Sequence, residues 1–324
     1  MGAIMNIVFT GSTNLGMLCC QRLIDMGESV TGIISAPEKI RIASSNYETR
    51  NVQHRNFSLV ARENKIPYYE IGEKGMKDGA LVDFLQDTGV DFMLVAGWHH
   101  IIPEKIRRMA SKGVAGLHAS LLPRYRGGAP LVWAIINGET ETGVSLFYLE
   151  KGIDTGDILA QARIPIDFED DISTLYEKVN VKSVDLVAGT IPKVKSGTLE
   201  VQAQDSSQAT YFPQRLPSDG MIDWNKNPTV IYNWVRAQTK PYPGAFTYFQ
   251  GNQKALVWKV LPTENPQVIR QQQPGEIINI GEDTLVRCQG GFIRLLDYEI
   301  NGKKNPLVEN GRFGNSNDKE NPLN

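Results

Sequence analysis

Apolar positions follow two alternating rhythms over the first two hundred residues. Short, nearly continuous apolar runs occur at Met5–Phe9, Ser29–Ser35, Pro67–Ile71, Val90–Ala96, Val144–Leu149 and Ile164–Ile166. Such runs, rich in β-branched residues, predict strands covered on both faces. Between them lie stretches with helical spacing: Met17–Met26, Ser58–Asn64, Asp78–Thr88, Pro103–Met109, Ala129–Asn137 and Asp171–Gly189. Strand and helix in alternation predict an α/β fold, Rossmann-like, with a mostly parallel sheet. Gln202–Pro217 is polar and proline-bearing, which predicts a linker. A helix is predicted over Pro228–Ala237. Short strands follow at Ala255–Val260, Gly275–Ile280, Asp283–Cys288 and Gly291–Ile300 with glycine turns between them, the pattern of a small OB-like β-barrel. The expected organisation is a first domain over 1–200, a linker over 201–217, a barrel over 218–302 and a disordered polar tail over 303–324.

Chemistry concentrates in Gly113–Ile158. A histidine, His118, precedes Ser120-Leu121-Leu122-Pro123. A basic glycine-rich turn follows, Arg124-Tyr125-Arg126-Gly127-Gly128, and then Gly152-Ile153-Asp154-Thr155-Gly156. An imidazole titrates near neutrality and can take and return a proton; a carboxylate aimed at it fixes its tautomer and stabilises its charged form. Asp154 follows the strand Val144–Leu149, and strand ends are where α/β enzymes place working residues. Taken singly, each admits a plainer role, a core histidine and a turn-forming aspartate.

Together, His118-Ala119-Ser120-Leu121-Leu122-Pro123, Arg126-Gly127, Ala129-Pro130, Trp133-Ala134, Gly138, Thr142-Gly143-Val144 and Asp154-Thr155-Gly156 resemble the folate-dependent formyltransferases. The isoleucine-aspartate-tryptophan of Ile222–Trp224 and Pro241-Tyr242-Pro243-Gly244-Ala245 resemble that family's C-terminal barrel. The resemblance implies formyl transfer from 10-formyltetrahydrofolate to an amine, with His118 and Asp154 at the catalytic histidine and aspartate positions. The family's third catalytic residue, an asparagine that donates to the formyl oxygen, is replaced here by Gly116. The resemblance further implies folate contacts at Leu94, Val95, Ala96 and Gly97, at Ser120–Pro123, and at Lys151, Gly152 and Ile153. Acceptor contacts are expected at Gly11, Ser12, Thr13, Arg124, Arg126 and Gly127. Arg126 is the candidate for orienting an anionic group through its bidentate guanidinium.

Charge narrows the choice of acceptor. Lys and Arg number 34 against 36 Asp and Glu, a net charge of −2, without the basic footprint of a nucleic-acid binder. The polar loop Ala36–Asn56 lacks the basic core found in transferases of initiator tRNA; it reads as a surface loop or as a lid that selects the acceptor, with Tyr47 and Arg55 as candidate contacts. The resemblance, whose C-terminal barrel also occurs in sugar formyltransferases, then implies a small phosphorylated acceptor, a nucleotide-linked amino sugar. Methionyl-tRNA formylation, a catalytically impaired folate- or nucleotide-binding homologue, and hydrolysis of the formyl donor are the alternatives. Three cysteines, two adjacent, form neither a disulfide framework nor a ligand pattern. His99 and His100 are adjacent with no third ligand, so no metal is expected. No run of about eighteen apolar residues predicts a membrane span, and a cytoplasmic homodimer is expected.

Overall fold

The computed structural model describes residues 4–41, 48–264, 273–306, 308 and 311–314. Contacts divide the chain into two compact units. The first comprises Met1–Gly127, Thr142–Pro165 and Glu177–Tyr211; the second comprises Gly128–Glu141, Ile166–Tyr176 and Phe212–Asn324.

In the first unit, strands β1 (Ile7–Thr10), β2 (Val30–Ser35), β3 (Tyr68–Glu70), β4 (Phe92–Val95), β5 (Val114–His118), β6 (Glu141–Tyr148) and β7 (Ile158–Pro165) form one sheet in the order β7-β6-β5-β4-β1-β2-β3. The pairs β3/β2, β2/β1, β1/β4 and β4/β5 are parallel, and β5/β6 is antiparallel. All of β1 and β4 is buried, which is why both read as apolar runs without alternation. Burying each such Ile, Val or Phe contributes about 1.5–3 kcal/mol. Helix Asn14–Asp25 starts where the Thr13 hydroxyl accepts from Gly16 N–H, and Gly79–Thr88 starts where Asp78 accepts from Ala80 N–H.

The sheet separates two cores. One contains Phe9, Phe57, Leu94 and Ala115, with Leu117 packed against it. The other contains Val8, Met93, Val95, Ile106 and Val114, with Trp98 and Leu149 packed against it.

In the second unit, Ile277–Ile280, Asp283–Cys288, Gly291–Ile300, Gln253–Thr263, Ala245–Phe249 and Phe313–Gly314 form an antiparallel sheet in that spatial order, curled into a half-barrel. Trp224 stacks on Phe313 at 5.7 Å within its core. Helix Pro130–Ile136 is grouped by its contacts with this second unit. It packs on helix Pro228–Arg236. Its Trp133 donates to the Pro213 carbonyl, and the Arg215 guanidinium lies 4.9 Å from the Trp133 ring and 4.7 Å from Trp234.

Three expectations are corrected. The loop Ala36–Asn56 contains a short antiparallel pair, Lys39–Arg41 with Glu48–Arg50; Tyr47 lies outside the described residues. The helix predicted to end at Gly189 runs from Ile172 to Ser196, because Ile191 and Val194 have a core to enter. The tail does not begin at 303: Phe313 is fully buried and pairs with Phe249, and Lys303–Lys304 pairs with Glu299–Ile300.

Candidate active site

His118 ends β5, and its ring is fixed from two sides. Nε2 lies 2.7 Å from the Tyr125 carbonyl oxygen. A carbonyl only accepts, so Nε2 is a donor in this contact and Nδ1 is the ring nitrogen left to face the site. Nδ1 faces Asp154 Oδ2 at 3.7 Å, with the two side chains 10% and 20% exposed. That carboxylate is itself held: Oδ2 accepts from Gly127 N–H at 2.8 Å. The arrangement leaves a base nitrogen and a carboxylate oxygen converging on one small volume, suited to receiving a proton and balancing the resulting charge.

Two residues of this frame have left-handed backbones, Tyr125 at φ 59° and Asp154 at φ 55°. For residues with a Cβ this is a strained conformation, costing about 1–3 kcal/mol each, and it concentrates at functional sites. The neighbouring Gly156 is forced by crowding, since a Cβ there would lie 1.9 Å from the Tyr148 carbonyl oxygen.

Gln204 holds the aspartate loop. Its amide nitrogen donates to the Asp154 and Gly156 carbonyls at 2.9 and 2.7 Å. Its oxygen accepts from Arg126 Nε and Nη2 at 3.1 and 2.7 Å, and Arg126 Nη1 donates to the Tyr211 hydroxyl at 2.6 Å. Thr210 completes the frame by accepting from Tyr125 N–H through its hydroxyl and from Arg126 N–H through its carbonyl. Arg126 is thus 1% exposed and turned inward. The expectation that it orients a substrate anion is corrected: its guanidinium buttresses the Asp154 loop. Gln204, Thr210 and Tyr211 come from the stretch read as a linker. Its polar composition and proline carried no sign of this role.

The remaining candidates divide by what their groups already do. Ser120 is buried and donates to the Arg124 carbonyl; the Leu122 N–H donates to Ser145 Oγ and its carbonyl accepts from Gln161. The turn Ser120–Pro123 is therefore braced from within by β6 and β7. Arg124 is exposed, with its guanidinium 5.6 Å from the Tyr125 ring. Leu94 and Val95 lie inside the sheet. Ala96 N–H donates to Thr10, and the Gly97 carbonyl accepts from both the N–H and the hydroxyl of Ser12. Gly11 lies so close to the Ala96 carbonyl that a Cβ would sit at 2.5 Å. Ser12 and Thr13 are buried, so Gly11–Thr13 serve to clamp the loop after β4. In Lys151–Ile153, Ile153 is exposed and the Lys151 carbonyl accepts from Thr155. Gly116 lies on β5 opposite Phe147 of β6.

The Formyl transferase family matches residues 3–190, and the Formyl transferase C-terminal domain matches residues 216–310. This chain belongs to the formyl transferase family.

Among relatives of this formyl transferase is a methionyl-tRNA formyltransferase of Thermodesulfovibrio yellowstonii, 33% identical over 298 residues, with 92% of each chain covered. Another, of Geotalea uraniireducens, is 32% identical over 301 residues, covering 93% of this chain and 92% of that one. The fold is shared with an N-formyltransferase from Helicobacter canadensis solved with folinic acid and dTDP-3-aminofucose. The TM-score is 0.64 at 18% identity, over 90% of this chain and 99% of that one. The formyl transferase is a folate-dependent enzyme by family. Among its described residues no group of three or more His, Cys, Asp or Glu is placed to hold a metal, and no helix is long and apolar enough to cross a membrane.

Proposed function

We propose that this enzyme moves a formyl group from 10-formyltetrahydrofolate to the amino group of a small phosphorylated acceptor, a nucleotide-linked amino sugar. The observation that carries the transfer chemistry is the pairing of His118 Nδ1 with the Asp154 carboxylate at 3.7 Å. The neutral amine attacks the formyl carbon. As its nitrogen gains positive character, Nδ1 takes one of its protons, and the imidazolium so formed lies between the Tyr125 carbonyl and the Asp154 carboxylate. The carbonyl π electrons move to oxygen. On collapse they return, the bond from carbon to the folate nitrogen breaks, and that nitrogen receives the proton from Nδ1. The formamide and tetrahydrofolate leave with atoms and charge balanced and His118 restored.

Charge supports the small acceptor. From Phe212 onward thirteen Lys and Arg face eleven Asp and Glu. That near-balance is a poor match to a polyanion, whose binding rests on many phosphate contacts. The second reading, methionyl-tRNA formylation, is favoured by the relatives of that name at 32–33% identity over nearly the whole chain.

The test is tetrahydrofolate release from 10-formyltetrahydrofolate, run with a panel of nucleotide-linked amino sugars and separately with methionyl-tRNA. Acceptor-dependent release with a sugar, abolished in His118→Ala, is the expected result. Release with methionyl-tRNA alone, falling steeply with salt, would replace the first reading by the second. Release without any acceptor would make the enzyme a hydrolase.

A further inference from the structure

The face of the sheet turned away from His118 carries a recess that formyl transfer does not use. It measures about 190 Å³ and is lined by Lys112, Tyr148, Val194, Gly197, Leu199 and Val201, all in the first unit. Side chains alternate between the two faces along β5 and β6. Ala115 and its register partner Tyr148 join the core that contains Val194 and is flanked by Leu199. Gly116 and His118 have the opposite parity, and Phe147, the partner of Gly116, packs with Leu122 and Ile158. Lys112 precedes β5 and His118 is its last residue. The recess therefore opens at the amino end of that strand, and the catalytic pair sits at the carboxyl end.

The walls of the recess are fixed. Tyr148 N–H donates to the Asp157 carbonyl and Leu149 N–H to the Val114 carbonyl. Gly113 packs so closely on the Tyr148 ring that a Cβ there would lie 2.8 Å from it. On the other side Gln202 exchanges two hydrogen bonds with Ile158. A site formed in advance loses less free energy to ordering when it is filled. The floor is apolar: Val194 is buried, Leu199 half-buried and Val201 45% exposed. The edge carries two donors. The exposed Lys112 ammonium makes no ion pair, and the Tyr148 hydroxyl no hydrogen bond, among the described residues. Partial burial pushes the Tyr148 phenol up from its ordinary pKa, so it keeps its proton. The helix end at Gly197 adds little negative character, because the Val194 and Lys193 carbonyls accept from Gly197 and Thr198 and the last turn carries Lys193 and Lys195.

We propose that this recess is a second binding site, for a small organic anion: a carboxylate carried on a short apolar chain. Lys112 pairs with the carboxylate, Tyr148 donates a hydrogen bond to it, and Val194, Leu199 and Val201 cover the chain. A few polar groups set over an apolar lining are the usual build of a small-molecule site, and a volume below the roughly 300–1,000 Å³ of drug-sized sites selects a ligand of few atoms. The assignment does not depend on which acceptor the enzyme uses.

The test is calorimetric titration of the full chain with three probes: hexanoate, 1-hexanol and acetate. Hexanoate has both features, hexanol lacks the charge, and acetate lacks the chain. Hexanoate is expected to bind at millimolar concentration, more tightly than either of the others. Lys112→Met and Tyr148→Phe should each weaken hexanoate binding about three- to tenfold, as for one lost interaction, and leave hexanol unchanged. Val201→Trp should fill the recess and abolish hexanoate binding, whereas saturating tetrahydrofolate should not displace it. Thermal melts report whether each variant is folded. Should Tyr148→Phe fold poorly, Lys112→Met and Val201→Trp, both at exposed positions, decide without it. Hexanoate binding that is absent in the wild type, that survives Val201→Trp, that is unchanged in Lys112→Met, or that tetrahydrofolate displaces overturns the assignment.

Discussion

Gln204→Leu should be the most damaging single change outside the hydrophobic cores. The glutamine oxygen accepts two bonds from Arg126, and its nitrogen donates to two carbonyls of the Asp154 loop. Hydrogen bonds to a charged group contribute about 1.5–3 kcal/mol, and a buried group left unpaired costs about 1–3 kcal/mol or more if charged. Arg126 is 1% exposed, so its guanidinium has no route to water when Gln204 is lost. The expected destabilisation is about 3–5 kcal/mol, a large share of the ~5–15 kcal/mol typical of a folded domain. The same reasoning gives a sharper expectation for the double variant Arg126→Met/Gln204→Leu. Removing both partners removes the stranded charge, so the double variant should be more stable than Gln204→Leu alone. Urea denaturation of the four proteins closes the cycle, and an interaction energy of about 1–3 kcal/mol is expected for groups in one network. If Gln204→Leu costs under 1 kcal/mol, or if the two changes simply add, the glutamine is not the support described.

Other expectations follow from the same geometry. Asp154→Asn should lower kcat by about two to four orders of magnitude, measured as tetrahydrofolate release, because it removes the charge that balances the imidazolium. Gly116→Asn should lose about 1–3 kcal/mol of stability by overpacking against Leu149, and Leu149→Ala should relieve it, both read by thermal melts. Burial pushes the Cys19, Cys20 and Cys288 thiols up to about 12 from 9.0. At pH 8 they should resist a thiol reagent until the protein is unfolded. Between pH 9 and 12 the folded state keeps thiol protons that the unfolded chain has lost, so stability should fall with rising pH, by at most about 1.4 kcal/mol per unit for each thiol. A urea midpoint flat from pH 8 to 10.5 would count against that burial.

The sheet was legible because its strands are covered on both faces: a run such as Phe92–Val95 has no solvent side and admits no polar residue. The pairing of His118 with Asp154 was legible through the family resemblance of the motifs around them, since taken singly each admits a plainer role. The supports were not. Gln204, Thr210 and Tyr211 lie fifty residues or more beyond Asp154 in an unremarkable polar stretch, and nothing local announces that they return to pair with Arg126. Arg126 itself misled for a related reason: an arginine in a glycine-rich turn looks like an anion ligand, and only its partners show that it faces inward. The helix through Gly189 and Pro192 shows a similar override, with local breakers outweighed by the burial of Ile191 and Val194.

These supports explain why the site can keep two left-handed residues. Tyr125 and Asp154 each cost about 1–3 kcal/mol in that conformation, and neither stands without external help. Tyr125 has its N–H bound to Thr210 and its carbonyl bound to His118. Asp154 has its carbonyl bound to Gln204 and its carboxylate bound to Gly127. At a net of about 0.5–1.5 kcal/mol per bond, the four together are of the size needed to offset the strain. What the strained residues gain is direction. The turn at Tyr125 aims a carbonyl at Nε2, and the turn at Asp154 aims a carboxylate toward Nδ1. The histidine is therefore held with Nε2 engaged by the carbonyl and Nδ1 turned to the side where the carboxylate lies. The residues that hold both turns in place come largely from a stretch whose sequence looks like a connector.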